Sequence, residues 1–561
     1  MAVASLFNGE RAVVALFLVR VLYSLPPQLL LPHGAVLSLL AVSALALEIL
    51  VEASPPSRRL PFNTRPGASS GILLGTVTLP AVMLSKLVQL GRAFSSNEIG
   101  FQEVNYQGVQ YWAVSAGCFT LIIFLCLVLL CSSSKPSHVL WEARTGLGCL
   151  AACSLLLTLS YSGMHISLTL LWLLFHGFGA VLLLQHLLNT FPSCASFGEA
   201  LLVTLGLVLY SGDMLACTLS KLNGFGGSPG EFVLQYDIKK SEISIIIQGM
   251  LIGLLVFPII LKVLFHLWDW LSNTAYLRAT TSIEKSRCLI FFGSLGVIMV
   301  GFVPYWMQLV HDFQMHPLLW VVMFVFSEPL KRLSLCIYWL VIICIAVQRF
   351  YHISKQSKTE RILLRKYYHL MAVLMFMPAV IFQAKFLDLA FGVALAAFMV
   401  LEIIRVWGIW PLGQLVHQFM NAFTDHRDSD LLIVSHFSLL LGCALPFWMS
   451  SQYNDRPLAA FAGILSLGIG DTMASIVGHK YGVLRWSKSG KKTIEGTAAG
   501  ITSVLAACSV LLPVLASAGY IFTQHWVSLL LAVVVSGLLE AYTAQLDNAF
   551  IPLVFYSLLC L

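Results

Sequence analysis

Apolar runs of roughly 17–24 residues, each long enough to cross ~30 Å of hydrocarbon as a helix, recur along this chain from end to end. In a bilayer the backbone must satisfy its own hydrogen bonds, which leaves only helix bundles and closed barrels. A barrel would show alternating strands of about ten residues, and no such pattern is present. Composition agrees with helices. Of 561 residues 58% are apolar and 11% charged, and mean hydropathy is +0.86, whereas charged residues make up about a quarter of a soluble domain. The expected fold is all-α, a polytopic integral membrane protein of about 15 transmembrane helices, within a range of roughly 13–17.

The net charge of +7 does not point to nucleic acid, because the basic residues sit in loops between spans and act there as topology signals. Thirteen cysteines include no CxxC pair, and most lie in apolar runs, as small hydrophobes do. No cleavable signal peptide is expected. Spans are expected near residues 12–30, 34–52, 71–91, 109–131, 146–161, 165–187, 198–220, 245–267 and 288–311. Pro317 to Val347, interrupted by Glu328-Pro329 and Lys331-Arg332, reads as one span with or without a short re-entrant piece. Asp213, His165 and His176 stand singly in this half, so no chemistry is assigned to residues 1–348.

The character changes at Arg349, where residues 349–561 begin a second region. The basic loop RFYHISKQSKTERILLRK belongs on the cytosolic side. Spans then follow near 368–384, 386–407, 431–450, 457–478, 499–518, 525–545 and 549–561. Four spans later the 479–498 loop is again basic, so two charge signals agree with one span count. The same parity puts 408–430 and the turn at Asp547 on the cytosolic side.

One stretch concentrates chemistry. LAAFAGILSLGIGDTMASIVG carries Asp471 inside a spanning run, then the basic loop HKYGVLRWSKSGKKT leads into EGTAAGITSVLAACSVLLPVLA. An intramembrane acid is costly and marks a candidate site. Lysines beside a helix N-terminus suit phosphate. The plain alternative is a structural hydrogen-bonder with a positive-inside anchor, and the loop lacks the glycine spacing and preceding strand of a P-loop. Other polar groups fall at the same rim: Arg365, Lys366 and His369 opening one span, Glu402 and Arg405 closing the next, and Asp425 to Asp428 in the following loop. Glu540 and Asp547, seven apart, are expected on one face of the penultimate helix. Carboxylates facing a basic loop are what a magnesium–nucleotide site requires.

GDTMASIVG, KKTIEGT and LLEAYTAQLDN, with Arg-Lys-x-x-His at 365–369, Glu-x-x-Arg at 402–405 and Asp-x-Arg-Asp at 425–428, closely resemble the dolichol kinase family. That family belongs to the CTP-dependent polyprenol, phytol and diacylglycerol kinases, which are related to the CDP-diacylglycerol synthases. The resemblance implies an endoplasmic-reticulum membrane enzyme with its site facing the cytosol. Such an enzyme transfers the γ-phosphate of CTP to the terminal hydroxyl of dolichol, giving the dolichyl phosphate used in N-glycosylation. It implies a CTP loop over Gly482, Arg485, Lys488, Gly490, Lys491, Lys492, Thr493, Glu495, Gly496 and Thr497, with Gly470 and Thr472 flanking Asp471. Mg²⁺ would be held by Asp471 with Asp428 or Asp547, and by Glu540. A carboxylate at Asp425 or Asp428, or else His369, would act on the lipid hydroxyl, with Arg365, Lys366, Glu402 and Arg405 completing the catalytic rim. A kinase of another lipid alcohol, a cytidylyltransferase of the CDP-diacylglycerol type and a lipid transporter or scramblase are the alternatives.

Overall fold

The computed structural model describes residues 8–54, 60–65, 69–131, 136–161, 163–225, 240–272, 280–354, 358–421, 432–450, 455–486, 492–517 and 526–561. These residues are helical with no β-strand beyond one isolated bridge. Among the described residues, eleven helices are long and apolar enough to cross a membrane, and five further apolar helices are shorter. Large apolar side chains such as Leu31, Leu130, Leu289, Leu330 and Phe382 lie exposed on helix surfaces, as a lipid-facing exterior requires.

The N-terminal helices are α1 (Gly9–Tyr23), α2 (Pro27–Ala53), α3 (Ile72–Ser95), α4 (Phe101–Leu130), α5 (Pro136–Tyr161), α6 (Gly163–Thr190) and α7 (Phe197–Phe225). The span expected at 12–30 is broken: Pro26 and Pro27 stop α1 and open α2, because proline lacks an amide donor and fits only a first turn. Then come α8 (Glu242–Ser272), α9 (280–310), α10 (Pro317–Ser327), α11 (Pro329–Ser354), α12 (Lys358–Phe382), α13 (Ala384–Trp407) and α14 (Gly413–Asn421). The ambiguous 317–347 stretch is a short helix and a long one, parted at Glu328. The last helices are α15 (Val434–Ser450), α16 (457–481), α17 (Ile494–Ser517), α18 (Trp526–Tyr542) and α19 (Asp547–Cys560).

Two compact units result, and they do not follow chain order. One contains residues 1–238, 344–377 and 442–561; the other contains 239–343 and 378–441. In the first, α3 is buried along nearly its whole length and packs against α4, α7 and α19. Two of the polar groups singled out in the N-terminal half have partners there. Asp213 accepts from Tyr106 Oη at 2.5 Å and Gln110 Nε2 at 3.1 Å, and His176 Nδ1 lies 2.9 Å from the Trp172 carbonyl. In the second unit, α8 packs along α13, where Ile247 fills the space above Gly392.

Candidate functional site

Asp471 sits where α16 changes its winding. Ile464–Asp471 is a π-helix and the α-helix resumes at Thr472; such wide turns inside helices are frequent at functional sites. Small residues let α12 approach, so that a Cβ on Gly468 would lie 2.2 Å from a Val373 methyl. The Thr472 hydroxyl donates to the Lys366 carbonyl at 3.4 Å. This approach brings Lys366 and His369, three apart on α12, to one carboxylate. Lys366 Nζ lies 2.7 Å from Asp471 Oδ1 and 2.5 Å from Oδ2, and His369 Nδ1 lies 2.9 Å from Oδ2. The three side chains are 13%, 3% and 9% exposed for lysine, aspartate and histidine, so the buried charges of Lys366 and Asp471 depend on each other.

Between α16 and α17 the chain folds back on itself. Arg485 bridges Thr493, Ile494 N donates to Leu484 O at 2.8 Å, and Trp486 N donates to Lys492 O at 3.3 Å. Thr493 caps α17, its Oγ1 accepting from Gly496 N at 3.2 Å. Glu495 accepts from Val483 N at 3.1 Å and Leu484 N at 2.9 Å, and Trp486 Nε1 donates to Thr497 Oγ1 at 2.9 Å. Thr493, Glu495 and Thr497 therefore frame the loop. A Cβ on Gly496 would meet the Ala474 carbonyl at 2.6 Å, so glycine here lets α17 press against α16. Gly482 is equally confined, whereas Arg485 is exposed. Trp486 lies within the loop that the resemblance spans, and its indole bond to Thr497 gives it a place in the frame.

The returning limb of the hairpin delivers Lys492 to the turn between α18 and α19. Its Nζ donates to the Glu540 carbonyl at 2.6 Å and lies 3.4 Å from Asp547 Oδ2 and 3.8 Å from Glu540 Oε1. Burial works against the ammonium, but Asp547, Glu540 and Asp471 outweigh it and raise the Lys492 pKa above its ordinary value. Glu540 and Asp547 do not share one helix, contrary to their spacing. α18 ends at Tyr542 and Asp547 opens α19. The Thr543 hydroxyl accepts from Gln545 N at 3.1 Å, a local side-chain bond of the kind that competes with helical ones. The two acids thus reach Lys492 from either side of a turn. Asp471 also feels the charge of Lys492, and Glu540 feels Asp471 and Lys366. Two clusters result, Lys366 and His369 on Asp471 and Lys492 on Glu540 and Asp547.

A cavity of ≈ 20 Å³, touched by Gly470, Thr497, Ser536 and Glu540, lies among α16–α19 and is water-sized. Among the described residues no three His, Cys, Asp or Glu side chains converge as in a metal site made of protein alone. Oxygen donors nevertheless fit Mg²⁺, which takes one or two carboxylates and completes its shell with phosphate and water. Asp547 and Glu540 meet that minimum. Asp425, Asp428, Lys488, Gly490 and Lys491 lie outside the described residues, and Arg365 is described only as backbone in α12. Glu402 and Arg405, in the second unit, form a bidentate buried pair at 2.8 and 2.7 Å, and Glu402 also accepts from Ile433 N at 3.0 Å.

A family model described as dolichol kinase matches residues 166–514. A protein of Arabidopsis thaliana called dolichol kinase EVAN is 58% identical over 99% of both chains. Human dolichol kinase is 33% identical over 66% of each chain, and that of Saccharomyces cerevisiae is 33% identical over 42% of this chain and 43% of its own. No solved structure matches.

Proposed function

The chain belongs to the dolichol kinase family, and from that premise we propose that it phosphorylates dolichol with CTP at the two clusters of Lys366, His369 and Asp471 and of Lys492, Glu540 and Asp547. It is a membrane phosphotransferase with dolichol as acceptor. The observation that carries the site is the pair of lysines, each backed by buried carboxylates, beside a loop framed by its own side chains. All six residues lie in 349–561, which supports that region as the kinase core.

Phosphoryl transfer needs positioning and charge neutralisation more than covalent help. Lys492, with Lys491 beside it in the sequence, holds the triphosphate. The lipid hydroxyl enters laterally, its tail remaining among apolar helix faces. With Nδ1 turned to Asp471, His369 keeps Nε2 to take the hydroxyl proton. The dolichol oxygen bonds to the γ-phosphorus, the bond to the β,γ-bridging oxygen breaks, and CDP leaves with that electron pair. Lys366 pairs with Asp471 and orients it. Mg²⁺ would be held by Asp547 and Glu540, with Asp471 or Asp428 as the further acid, and supplies charge neutralisation at the phosphates. Asp425, Glu402, Arg405 and Arg365 are proposed as catalytic on motif order alone. Endoplasmic-reticulum residence and a cytosol-facing site follow from the family resemblance and the two basic loops.

Purified protein given α- or γ-labelled CTP, ATP in parallel, and dolichol, polyprenol, phytol or diacylglycerol tests this. Label from the γ position alone should appear in dolichyl phosphate. Transfer of the α label with release of pyrophosphate would mean a cytidylyltransferase.

A further inference from the structure

Where Glu540 and Asp547 stand relative to Lys492 depends on the short turn 543–546, and much of what holds that turn comes from the N-terminal helices. We propose that Glu199, Arg65 and Gln545 are positioning residues, a clamp by which residues 60–199 set the geometry of the phosphate site; this rests on assigning Lys492 and its acids to the nucleotide.

The contacts are specific. Leu546 N, one residue before Asp547, donates to Glu199 Oε1 at 2.8 Å. Arg65 Nη2 lies 2.6 Å from that oxygen and donates to the Ala544 carbonyl at 3.3 Å. Glu199 cannot follow a moving turn. It is 2% exposed, its Oε2 accepts from Ser196 N at 2.9 Å, and Ser196 Oγ accepts from Glu199 N at 3.1 Å, which is the reciprocal arrangement of a capping box at the start of α7. Gln545 is wholly buried. Its Nε2 donates to Ser69 O at 3.0 Å and Ser69 Oγ at 2.9 Å, and its Oε1 accepts from Ser196 Oγ. The backbone is shaped for that amide: Gly71 has φ +62°, and a Cβ there would lie 2.5 Å from it.

A turn outside helical hydrogen bonding is free to shift unless other groups hold it. Here the outside groups fix both its carbonyl and its last amide. Releasing them changes the offset between Glu540 and Asp547, and with it the position of Lys492. The lipid-facing part of the site, Lys366 and His369 on α12, has no bond to this clamp among the hydrogen bonds described.

The test is full-length enzyme in detergent, with Glu199→Gln and Gln545→Asn compared per mole of folded protein. Each should raise the CTP KM roughly tenfold, the loss expected of one hydrogen bond to a charged or fully buried group, with the dolichol KM unchanged. In a Lys492→Ala background the further effect of Glu199→Gln should largely vanish, because both act on one contact. Should Glu199→Gln fold poorly, Ser69→Ala cuts the same clamp more mildly and should raise the CTP KM by a smaller factor. Fewer folded molecules with both KM values unchanged would overturn the proposal, as would full additivity with Lys492→Ala. If Lys492→Ala alone leaves the CTP KM unchanged, the nucleotide assignment fails and this inference with it. A raised KM in Lys492→Ala beside an unchanged one in Glu199→Gln removes the clamp only.

Discussion

Lys366 and Asp471 show why a substitution at this site cannot be read from activity alone. Asp471→Asn removes a charge with little change of shape, but it also leaves Lys366 buried without its counter-ion, at a cost of about 3–5 kcal/mol. We expect the single variant to lose both turnover, by roughly 10²–10³-fold, and thermal stability. Lys366→Met combined with Asp471→Asn should recover much of the melting temperature and none of the turnover. Recovery of activity in the double variant would show that the pair is only structural. His369→Gln should lower kcat by roughly 10²-fold or more with both KM values nearly fixed, as loss of a proton acceptor does; unchanged kcat would exclude it as the base. The residue types were legible in the sequence because an acid inside a membrane run is expensive. Their pairing was not, since Lys366 and Asp471 are 105 residues apart and no local pattern links them.

At the scale of elements, the segment between α16 and α17 is pinned by Glu495, a carboxylate that the family resemblance places in the nucleotide loop. Glu495→Ala frees the amides of Val483 and Leu484 and should raise the CTP KM several-fold, whereas Glu495→Gln keeps an acceptor and should stay near wild type. Equal effects of the two would mean that Glu495 acts through its charge. Gly496→Ala pushes a methyl into the Ala474 carbonyl and should cost about 1–3 kcal/mol by overpacking. Helix positions were legible because lipid demands long apolar runs. The end of α18 was not, since it depends on Thr543 and on Glu199, which lies 347 residues from Leu546.

Across the whole molecule, the two units interleave in sequence, so the N-terminal helices and residues 442–561 share one compact body. No periodicity reports such a long-range grouping. The expected topology follows from span parity: α12, α13, α15 and α16 lie between the two basic loops. Cysteines introduced at His426, Lys488 and Asn548 should react only from the cytosolic side of sealed microsomes, and one at Tyr453 only from the lumen. Labelling of positions 426 and 488 from opposite sides would separate the acidic loop from the lysines. The central claim is that Lys492, held by Glu540 and Asp547, grips the nucleotide. Equilibrium binding of CTP with Mg²⁺ to purified wild type, Lys492→Ala and His369→Gln tests it most directly. Lys492→Ala should bind roughly tenfold or more weakly and His369→Gln as tightly as wild type; equal affinity in Lys492→Ala and wild type would contradict it.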